Sequence, residues 1–238
     1  TTIKKIRMPL ETSKELAHFF ALLISEGSQN KENLYLSMKN KEIVEYFIKL
    51  LNYLFDIKTN LYLDKRNGQH RVALNSKLFE KLLYAIGYKI NSKAHDKDIP
   101  TFIMTADNNI VKEFLKMYYE GDGSVSRDCV KVVTKSKSVA NKISYLLLRF
   151  GLVAKISYEY TKTNFGQGYY YNLRLYGNDL NIFRDKIGFY SKYKNNKLMK
   201  CCLNVSTNKN DTIPFIHSKI HQIRKKSNIS HSQFYEAT

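Results

Sequence analysis

The chain is short of cysteine, of acidic side chains and of long apolar runs, and each shortage excludes a class of protein. Its three cysteines, Cys129 and the adjacent pair Cys201 and Cys202, lack CxxC spacing, so neither a disulfide framework nor a structural zinc site is indicated, and the pair is expected on a helix. No apolar stretch approaches the ~18 residues of a membrane span, and no signal peptide opens the sequence. We therefore expect a soluble, cytoplasmic protein without a membrane partner.

The shortage of acid leaves a strongly basic chain. Lys and Arg total 39 against 21 Asp and Glu, a formal net charge of +18. This balance is untypical of an enzyme of small metabolites and indicates a polyanionic partner, with nucleic acid the leading candidate. A basic solvated tail is the alternative, but the basic residues are spread through both halves of the chain. A protein with this partner would be associated with the nucleoid when bound to DNA.

A segment of the chain occurs twice. Residues 18–27 read HFFALLISEG and residues 114–123 read FLKMYYEGDG, and both end an apolar helical run in an acidic residue followed by glycine. At the same offset residues 39–57 match residues 135–153, and at a slightly larger one residues 82–88 match residues 183–189. Three matched blocks in one order indicate a tandem duplication of a small domain. We predict repeats at 1–95 and 96–203, followed by a basic helical extension at 204–238.

The hydrophobic periodicity predicts the same elements in each repeat. In the first, a helix capped by Thr12 or Ser13 and ended by Gly27 precedes an alternating strand at 33–39, a helix at 41–56, a hairpin turning at Asn67-Gly68 and a helix at 76–88. The second repeat has helices at 110–121 and 137–150, a strand at 128–135 and a hairpin turning at 166–168. The fold class is therefore α+β, with helices on one face of each small antiparallel sheet.

The opposite face of each sheet is polar, aromatic and basic. In the first hairpin Leu61, Leu63, Val72 and Leu74 are predicted to point to the core. Side chains of the other face suit phosphates and base edges. The predicted DNA-binding residues are Tyr35, Ser37, Lys39, Tyr62, Asp64, Arg66, Gln69, Arg71, Lys131, Lys135, Lys155, Tyr170, Asn172 and Arg174. Shielding of the sheet is the alternative role for Tyr35, Tyr62 and Tyr170.

The linker at the junction of the repeats and the C-terminal extension complete the prediction. Residues 91–109 form a short linker in which Ile99-Pro100 favours extended backbone. A basic helix is expected at 215–226, with a further helix capped by Ser230. The six histidines are scattered without HxxH spacing and are expected mostly on the surface or against DNA.

These residues resemble the LAGLIDADG homing endonucleases of the two-repeat, single-chain type, the dodecapeptide class of archaeal introns and inteins. The family's motif corresponds to residues 19–27 and 115–123, and the chain departs from it at Ile24 and Met117. The Lys97-Asp98-Ile99-Pro100 segment resembles the signature that precedes the second motif in inteins. The resemblance covers roughly residues 13–203.

The resemblance implies a fold of two pseudo-symmetric αββαββα repeats, whose sheets form a saddle on double-stranded DNA and whose helices lie on the outer face. The motif helices would pack along the pseudo-two-fold axis, with Ala21, Ser25 and Gly121 allowing close approach. Glu26 and Asp122 would then bind Mg²⁺ or Mn²⁺ and hydrolyse both strands of a long asymmetric site. Lys97 and Lys194 could stabilise charge at the phosphates, and for each of them plain phosphate anchoring is the alternative.

Several alternatives stay open at this point. A degenerate relative would not cleave, and Glu26 and Asp122 would only cap helices, although acids are unfavourable at a helix C-terminus. An RNA-splicing maturase would bind intron RNA, and a non-cleaving regulator would pair this fold with a helix-turn-helix. The chain begins Thr1-Thr2 and ends without His-Asn, so self-splicing is not expected, although the chain could be the endonuclease part of an intein. A monomer is expected, because both halves are in one chain.

Overall fold

Small polar side chains begin the three helices of the first repeat. Ser13, Asn40 and Ser76 each accept a backbone N–H of the first turn, which satisfies a donor that has no partner inside the helix. In this computed structural model residues 6–29, 33–90, 93–163, 166–203 and 217–227 are described. The repeat runs α1 Lys14–Glu26, β1 Gly27–Gln29, β2 Leu34–Met38, α2 Lys41–Phe55, β3 Tyr62–Asp64, β4 Gln69–Leu74 and α3 Lys77–Ala85.

The second repeat has the same order of elements after a short helix, α4 Thr101–Thr105. It runs α5 Asn108–Asp122, β5 Gly123–Val125, β6 Cys129–Thr134, α6 Lys137–Leu148, β7 Lys155–Thr163, β8 Gly166–Tyr176 and α7 Asn178–Lys186, and α8 Lys192–Cys202 follows. The two sheets are antiparallel with equivalent strand orders, β1-β2-β4-β3 and β5-β6-β8-β7. The predicted fold of two αββαββα repeats is confirmed.

Alternation along the strands places one face of each sheet against the helices. Leu34, Leu36 and Met38 of β2 are buried, as are Val130 and Val132 of β6. They belong to one hydrophobic core that runs through both repeats and includes stacked aromatic rings. Helices α1 and α5 pack side by side in the middle of it, which explains why α1 is apolar almost all round.

The predicted first hairpin is confirmed: its turn covers residues 65–68 and includes Asn67-Gly68, and Gly68 has the positive φ of 67° that the turn needs. Two other local predictions were wrong. Residues 166–168 are part of β8, where they pair with Thr161, Lys162 and Thr163 of β7. The linker contains α4, and its Ile99 is buried. The pairing of β7 with β8 extends through the predicted turn, and the linker packs Ile99 and Ile103 into the core.

The remaining predictions had different outcomes. Cys201 and Cys202 are in α8, and all three cysteines are free. Leu63 was expected in the core but is 55% exposed, because β3 is a short edge strand. The basic helix α9, His217–Lys226, belongs to a separate small unit, and Ser230 lies outside the described residues. Among the described helices, none is long and apolar enough to cross a membrane.

Candidate functional site

Both motif helices end in an acidic residue followed directly by a strand. Gly27 and Gly123, which follow Glu26 and Asp122, have extended backbone, with φ of −68° and −83°. A Cβ at Gly27 would lie 3.0 Å from the carbonyl carbon of Leu23, and one at Gly123 would lie 2.9 Å from that of Tyr119. The glycines are therefore required because the chain leaves the helix closely past its own last turn, and not because of a left-handed cap.

The two helices are in close contact beside the carboxylates. A Cβ at Gly121 would lie 2.7 Å from the Cβ of Ser25 and 3.2 Å from the Cγ of Glu26. Such distances leave no room for a side chain at position 121. The predicted role of Ser25 and Gly121 as small residues in the seam is thus consistent with the packing, and Glu26 of the first repeat lies against the second.

Electrostatics show that the two carboxyl groups share one environment. Burial raises the pKa of Asp122 to about 7, with a further contribution from the like charge of Glu26. Burial also raises the pKa of Glu26, while the positive charges of Lys97 and Lys194 oppose the increase. Each carboxyl group therefore interacts with both lysines. The sequence placed these four residues far apart, and the fold brings them together.

Lys97 and Lys194 occupy equivalent positions at the ends of the motif helices. The Lys97 Nζ donates to the carbonyl oxygens of Ile24 at 2.7 Å and Gly27 at 2.8 Å. The Lys194 Nζ donates to the carbonyl oxygens of Glu120 and, at 2.7 Å, Gly123. Burial lowers the pKa of both lysines, and the nearby carboxylates oppose this.

These ammonium groups neutralise the negative end of each helix dipole. A bound metal would offset the cost of an acidic residue at a helix C-terminus, but the lysines already provide positive charge there. The dipole argument for a metal is therefore weaker than the sequence indicated. The proximity of two carboxyl groups is the stronger argument, because a cation would relieve their repulsion.

Lys97 is held by contacts with the second repeat. Its carbonyl oxygen accepts from the Ser136 hydroxyl at 2.6 Å, and the adjacent Asp98 accepts from Ser138 at 2.5 Å and pairs with Lys142 at 2.8 Å. The side chain of Lys97, however, reaches α1 of the first repeat. The linker thus connects the two halves next to the carboxylates.

Lys194 is held by the start of α8. The Glu120 carboxylate accepts from the backbone N–H of Ser191 at 2.9 Å, and the Ser191 hydroxyl caps α8. Glu120 is almost fully buried. It occupies the position of Ile24 in the first motif, so this anchor exists in one repeat only.

A buried histidine also joins the repeats, an exception among histidines that are expected mostly on the surface or against DNA. The Nδ1 atom of His18 lies 2.7 Å from the Tyr46 hydroxyl, and its Nε2 atom lies 2.9 Å from the carboxylate of Glu113 on α5. Burial lowers the pKa of His18. The helical spacing of apolar residues in α1 gives no indication of this contact.

The polar faces of the sheets carry the predicted DNA-binding residues in matching registers. Ser37 pairs with Arg71 and Arg71 with Tyr62 in the first sheet, while Lys131 and Lys155 both pair with Arg174 in the second. Opposite residues of antiparallel strands share a face. Gln69 pairs with Asp64, and Tyr170 lies 5.0 Å below the Lys135 ammonium. Lys39 follows β2 and is exposed.

The arginines of these faces are paired with acids. Asp64 accepts from Arg66 at 2.8 Å and lies 3.4 Å from Arg71, and the bonds from Arg66 lower the pKa of Asp64 to about 2. Arg174 pairs with Glu159 at 2.9 Å. These pairs hold each guanidinium in place while leaving donors for a ligand.

Asn172 differs from the other residues predicted to read bases. It lies on the polar face but is 3% exposed, and its amide donates to the Tyr170 carbonyl at 3.4 Å. In the central strand β8 its neighbours are Val133 and Ser157. Asn172 is therefore covered in this structure.

Comparison with known proteins agrees with this architecture. Residues 109–188 match the family model described as LAGLIDADG-like domain. The homing endonuclease I-WcaI bound to its DNA recognition sequence is 16% identical with a TM-score of 0.54, and the match covers 80% of this chain and 88% of that one. I-DmoI in complex with DNA and Mn is 16% identical with a TM-score of 0.51, covering 74% and 97%.

Full-length DUF199/WhiA from Thermatoga maritima shares the fold as well. It is 11% identical with a TM-score of 0.54, and the match covers 92% of this chain and 68% of that one. The second repeat thus matches the LAGLIDADG-like family model, and the whole chain has the two-repeat fold of these structures. The fold does not distinguish a nuclease from a protein such as WhiA.

Curated relatives match over a small part of their length. A replication factor C small subunit of Methanocaldococcus jannaschii is 31% identical over 65% of this chain and 8% of the relative. A probable translation initiation factor IF-2 of the same organism is 36% identical over 48% of this chain and 10% of the relative. The matched segment thus spans about a tenth of the relatives' length.

Proposed function

We propose that the chain is a site-specific endonuclease that hydrolyses both strands of duplex DNA with a divalent cation, Mg²⁺ or Mn²⁺. The observation that carries the proposal is the proximity of Glu26 and Asp122, one from each repeat, where Gly121 of α5 packs against Ser25 and Glu26 of α1. A site with one carboxylate from each of two pseudo-symmetric halves suits a substrate with two antiparallel strands. The similar structures of I-WcaI and I-DmoI, each in complex with DNA, support the choice of substrate.

The donor set fits a hard cation only in part. Within the described residues no group of three or more His, Cys, Asp or Glu side chains could hold a metal. Mg²⁺ commonly binds one or two carboxylates and completes its shell with water and substrate phosphate oxygens. Glu26 and Asp122 fit that pattern, so we expect tight metal binding only in the presence of DNA. A bound divalent cation would activate water, neutralise the scissile phosphate and stabilise the leaving 3′ oxygen.

The protein's own contribution is to position these groups and supply positive charge. Lys97 and Lys194 hold the last carbonyls of both motif helices, which fixes the positions from which Glu26 and Asp122 emerge. Their charges also favour the ionised carboxylates that a cation requires. Because the ammonium groups are engaged with carbonyls, we assign them to positioning and charge rather than to direct proton transfer.

The polar sheet faces would contact the duplex. Arg71 and Arg174, each paired with an acid, suit guanine or phosphate, and Gln69 suits adenine. Asn172 would contribute only after a local rearrangement, because it is covered. The exposed Lys39 and Lys135 suit phosphate contacts.

The curated relatives support an origin of this chain as an inserted genetic element. Segments similar to this chain occur in proteins with unrelated names, a replication factor and a translation factor, and make up about a tenth of each. A shared segment in such different proteins is best explained as an inserted module. We infer that this chain is an endonuclease of intein or intron type whose activity serves its own insertion.

Selection of cleaved sites from a randomised duplex library in Mg²⁺ tests the proposal. Wild type is expected to yield one long asymmetric site cut in both strands. Glu26→Gln and Asp122→Asn are expected to bind the recovered site but to cut it at least about 100-fold more slowly, because each removes a metal ligand. If both variants cut like wild type, the assignment of the carboxylates is wrong.

A non-cleaving DNA-binding protein is the second candidate. The match to full-length DUF199/WhiA covers 92% of this chain, and α9 is basic. This candidate predicts specific duplex binding that does not change with Mg²⁺ and no cleavage of any selected sequence. A maturase would instead prefer structured intron RNA over duplex DNA in a competition titration.

A further inference from the structure

Each sheet has an acidic residue at the same position of its polar face. Val72 and Leu173 are equivalent, because each pairs with the strand residue that also pairs with the motif glycine of its repeat. The residue three places before each of them pairs with Asp64 of β3 in one repeat and with Glu159 of β7 in the other. Opposite residues of antiparallel strands share a face, so both acids lie on the faces predicted to bind DNA.

The two acids differ in how far they are covered by their arginine partners. The Asp64 side chain is 9% exposed, whereas that of its partner Arg66 is 82% exposed. In the second repeat the order is reversed, because the Glu159 side chain is 45% exposed and that of its partner Arg174 is 23% exposed. At this position the first face therefore presents mainly hydrogen-bond donors, and the second presents an acceptor.

Bonds from Arg174 fix the Glu159 carboxylate. The Nη1 and Nη2 atoms of Arg174 donate to the two carboxylate oxygens at 3.1 and 2.9 Å, and Nη1 also donates to the Ser157 hydroxyl at 3.1 Å. The bonds from Arg174 lower the pKa of Glu159 to about 2, so the ionised carboxylate can only accept hydrogen bonds. A carboxylate has about four acceptor sites, and sites beyond the two that Arg174 occupies remain for a ligand.

An ionised acceptor on a DNA-binding face discriminates between the groups of the duplex. It repels phosphates, and in the major groove it repels the O6 and N7 atoms of guanine and the O4 atom of thymine. Cytosine and adenine each present an amino group there, but that of adenine lies beside the N7 acceptor, whereas cytosine has no acceptor on this edge. The cytosine N4 amino group therefore fits the Glu159 carboxylate best.

We propose that Glu159, held in place by Arg174, is a specificity-determining residue that accepts a hydrogen bond from the N4 amino group of a cytosine in the bound duplex. The proposal rests on the DNA binding proposed above, but not on cleavage. In the first repeat the exposed Arg66 suits guanine or phosphate instead. The two halves thus read the duplex with opposite polarity at equivalent positions.

Selection of bound sequences from a randomised duplex library in EDTA tests this role without cleavage. At one position of the aligned sites wild type is expected to prefer a C·G pair about tenfold over the other pairs. Glu159→Gln is expected to lose that preference, because its amide also donates to the acceptors of guanine and thymine. Its affinity for unselected duplex is expected to stay the same or increase, since a charge that repels phosphates is gone.

Glu45→Gln is the matched control. It removes the same charge from an equally exposed ion pair, that of Glu45 with Lys41, which lies on helix α2 rather than on a sheet face. This variant is expected to select the same sequences as wild type. If it loses the C·G preference as Glu159→Gln does, net charge is the cause and the proposed contact is overturned.

Modified bases separate the cytosine from its partner guanine, to which an arginine could bind. N4-methylcytosine at the preferred position replaces the amino hydrogen that faces the major groove, and we expect it to weaken wild-type binding about tenfold and to leave Glu159→Gln unchanged. 7-Deazaguanine lacks the N7 acceptor and is expected to have no effect on either protein. Sensitivity of wild type to 7-deazaguanine alone would assign the position to Arg174 and overturn the role of Glu159.

The outcomes for Glu159 and for the nuclease are distinguishable. If wild type shows the Glu159-dependent C·G preference but cuts no DNA in Mg²⁺, the proposed nuclease fails and the role of Glu159 stands. If wild type cuts its site and Glu159→Gln selects the same sequences as wild type, the nuclease stands and the role of Glu159 is overturned. The absence of a C·G preference in the wild-type sites overturns it as well.

Discussion

The ends of α1 and α5 have the same backbone path but different surroundings. The first repeat has the apolar residues Leu22, Ile24 and Met38 at the positions where the second repeat has Tyr118, Glu120 and Thr134. In the second repeat the Glu120 carboxylate accepts from the start of α8, and Thr134 accepts from the backbone N–H of Ser136. In the first repeat these positions are buried and apolar, and the Lys97 ammonium holds the end of α1 through the carbonyl oxygens of Ile24 and Gly27. The two helix ends therefore keep the same geometry, but different contacts hold them in place in the two repeats.

Among the substitutions that test this comparison, Gly121→Ala is expected to have the largest effect on stability and cleavage. The added methyl group would lie 2.7 Å from the Ser25 Cβ, so the two motif helices must separate. We expect about 3 kcal/mol of lost stability, typical of overpacking, together with loss of cleavage. Urea unfolding and a plasmid cleavage assay measure the two effects.

The double variant Gly121→Ala with Ser25→Gly is the control, since it moves the small residue to the other helix. It is expected to recover most of the stability. If Gly121→Ala alone is as stable as wild type, the helices are not in contact at this point.

Asp122→Asn is expected to change how stability depends on pH. The native carboxyl group keeps its proton up to about pH 7, whereas an unfolded aspartate loses it near pH 4. Stability due to this group therefore falls as pH rises from about 4 to 7 and stays low above that. Without divalent metal, Asp122→Asn is expected to gain on the order of 2 kcal/mol relative to wild type between pH 5 and pH 8.

Urea unfolding at both pH values in EDTA measures this difference. Asp185→Asn is the control, because the pKa of Asp185 is lowered by its exposed pair with Arg184. Parallel pH profiles for wild type and Asp122→Asn would contradict the raised pKa of Asp122.

The sheet faces are expected to show the smallest difference between the halves. Arg71→Ala and Arg174→Ala are each expected to weaken binding of the selected duplex by about 1 kcal/mol and to reduce the slope of log affinity against log salt by about 1. Fluorescence anisotropy at several salt concentrations measures both quantities. Arg184→Ala is the control, since this arginine pairs with Asp185 away from the sheet faces. Unchanged affinity for both sheet variants would reject the assigned faces.

Local periodicity was sufficient to predict most of the elements. The apolar spacing of α2 and the alternation of β2 and β6 follow from burial of one face, and each is found where it was predicted. Glu26 and Asp122 could be selected because the duplication puts them at matching positions. These features depend on residues close together in the sequence.

Features that depend on distant residues could not be predicted in the same way. The carbonyl partners of Lys97 lie on α1, and those of Lys194 lie on α5, so neither was visible from local patterns. Asn172 lies on the polar face that the alternation predicts, but its side chain is buried.

The linker makes contacts with both repeats, and this affects how halves of different proteins can be joined. Residues around Lys97 are bonded to Ser136, Ser138 and Lys142 of the second repeat, yet the lysine side chain completes the first. A chimera joined after residue 100 would separate this lysine from the residues that hold its main chain. A junction between α3 and residue 93 would keep them together, so hybrid proteins are best assembled with the linker inherited from the donor of the C-terminal half.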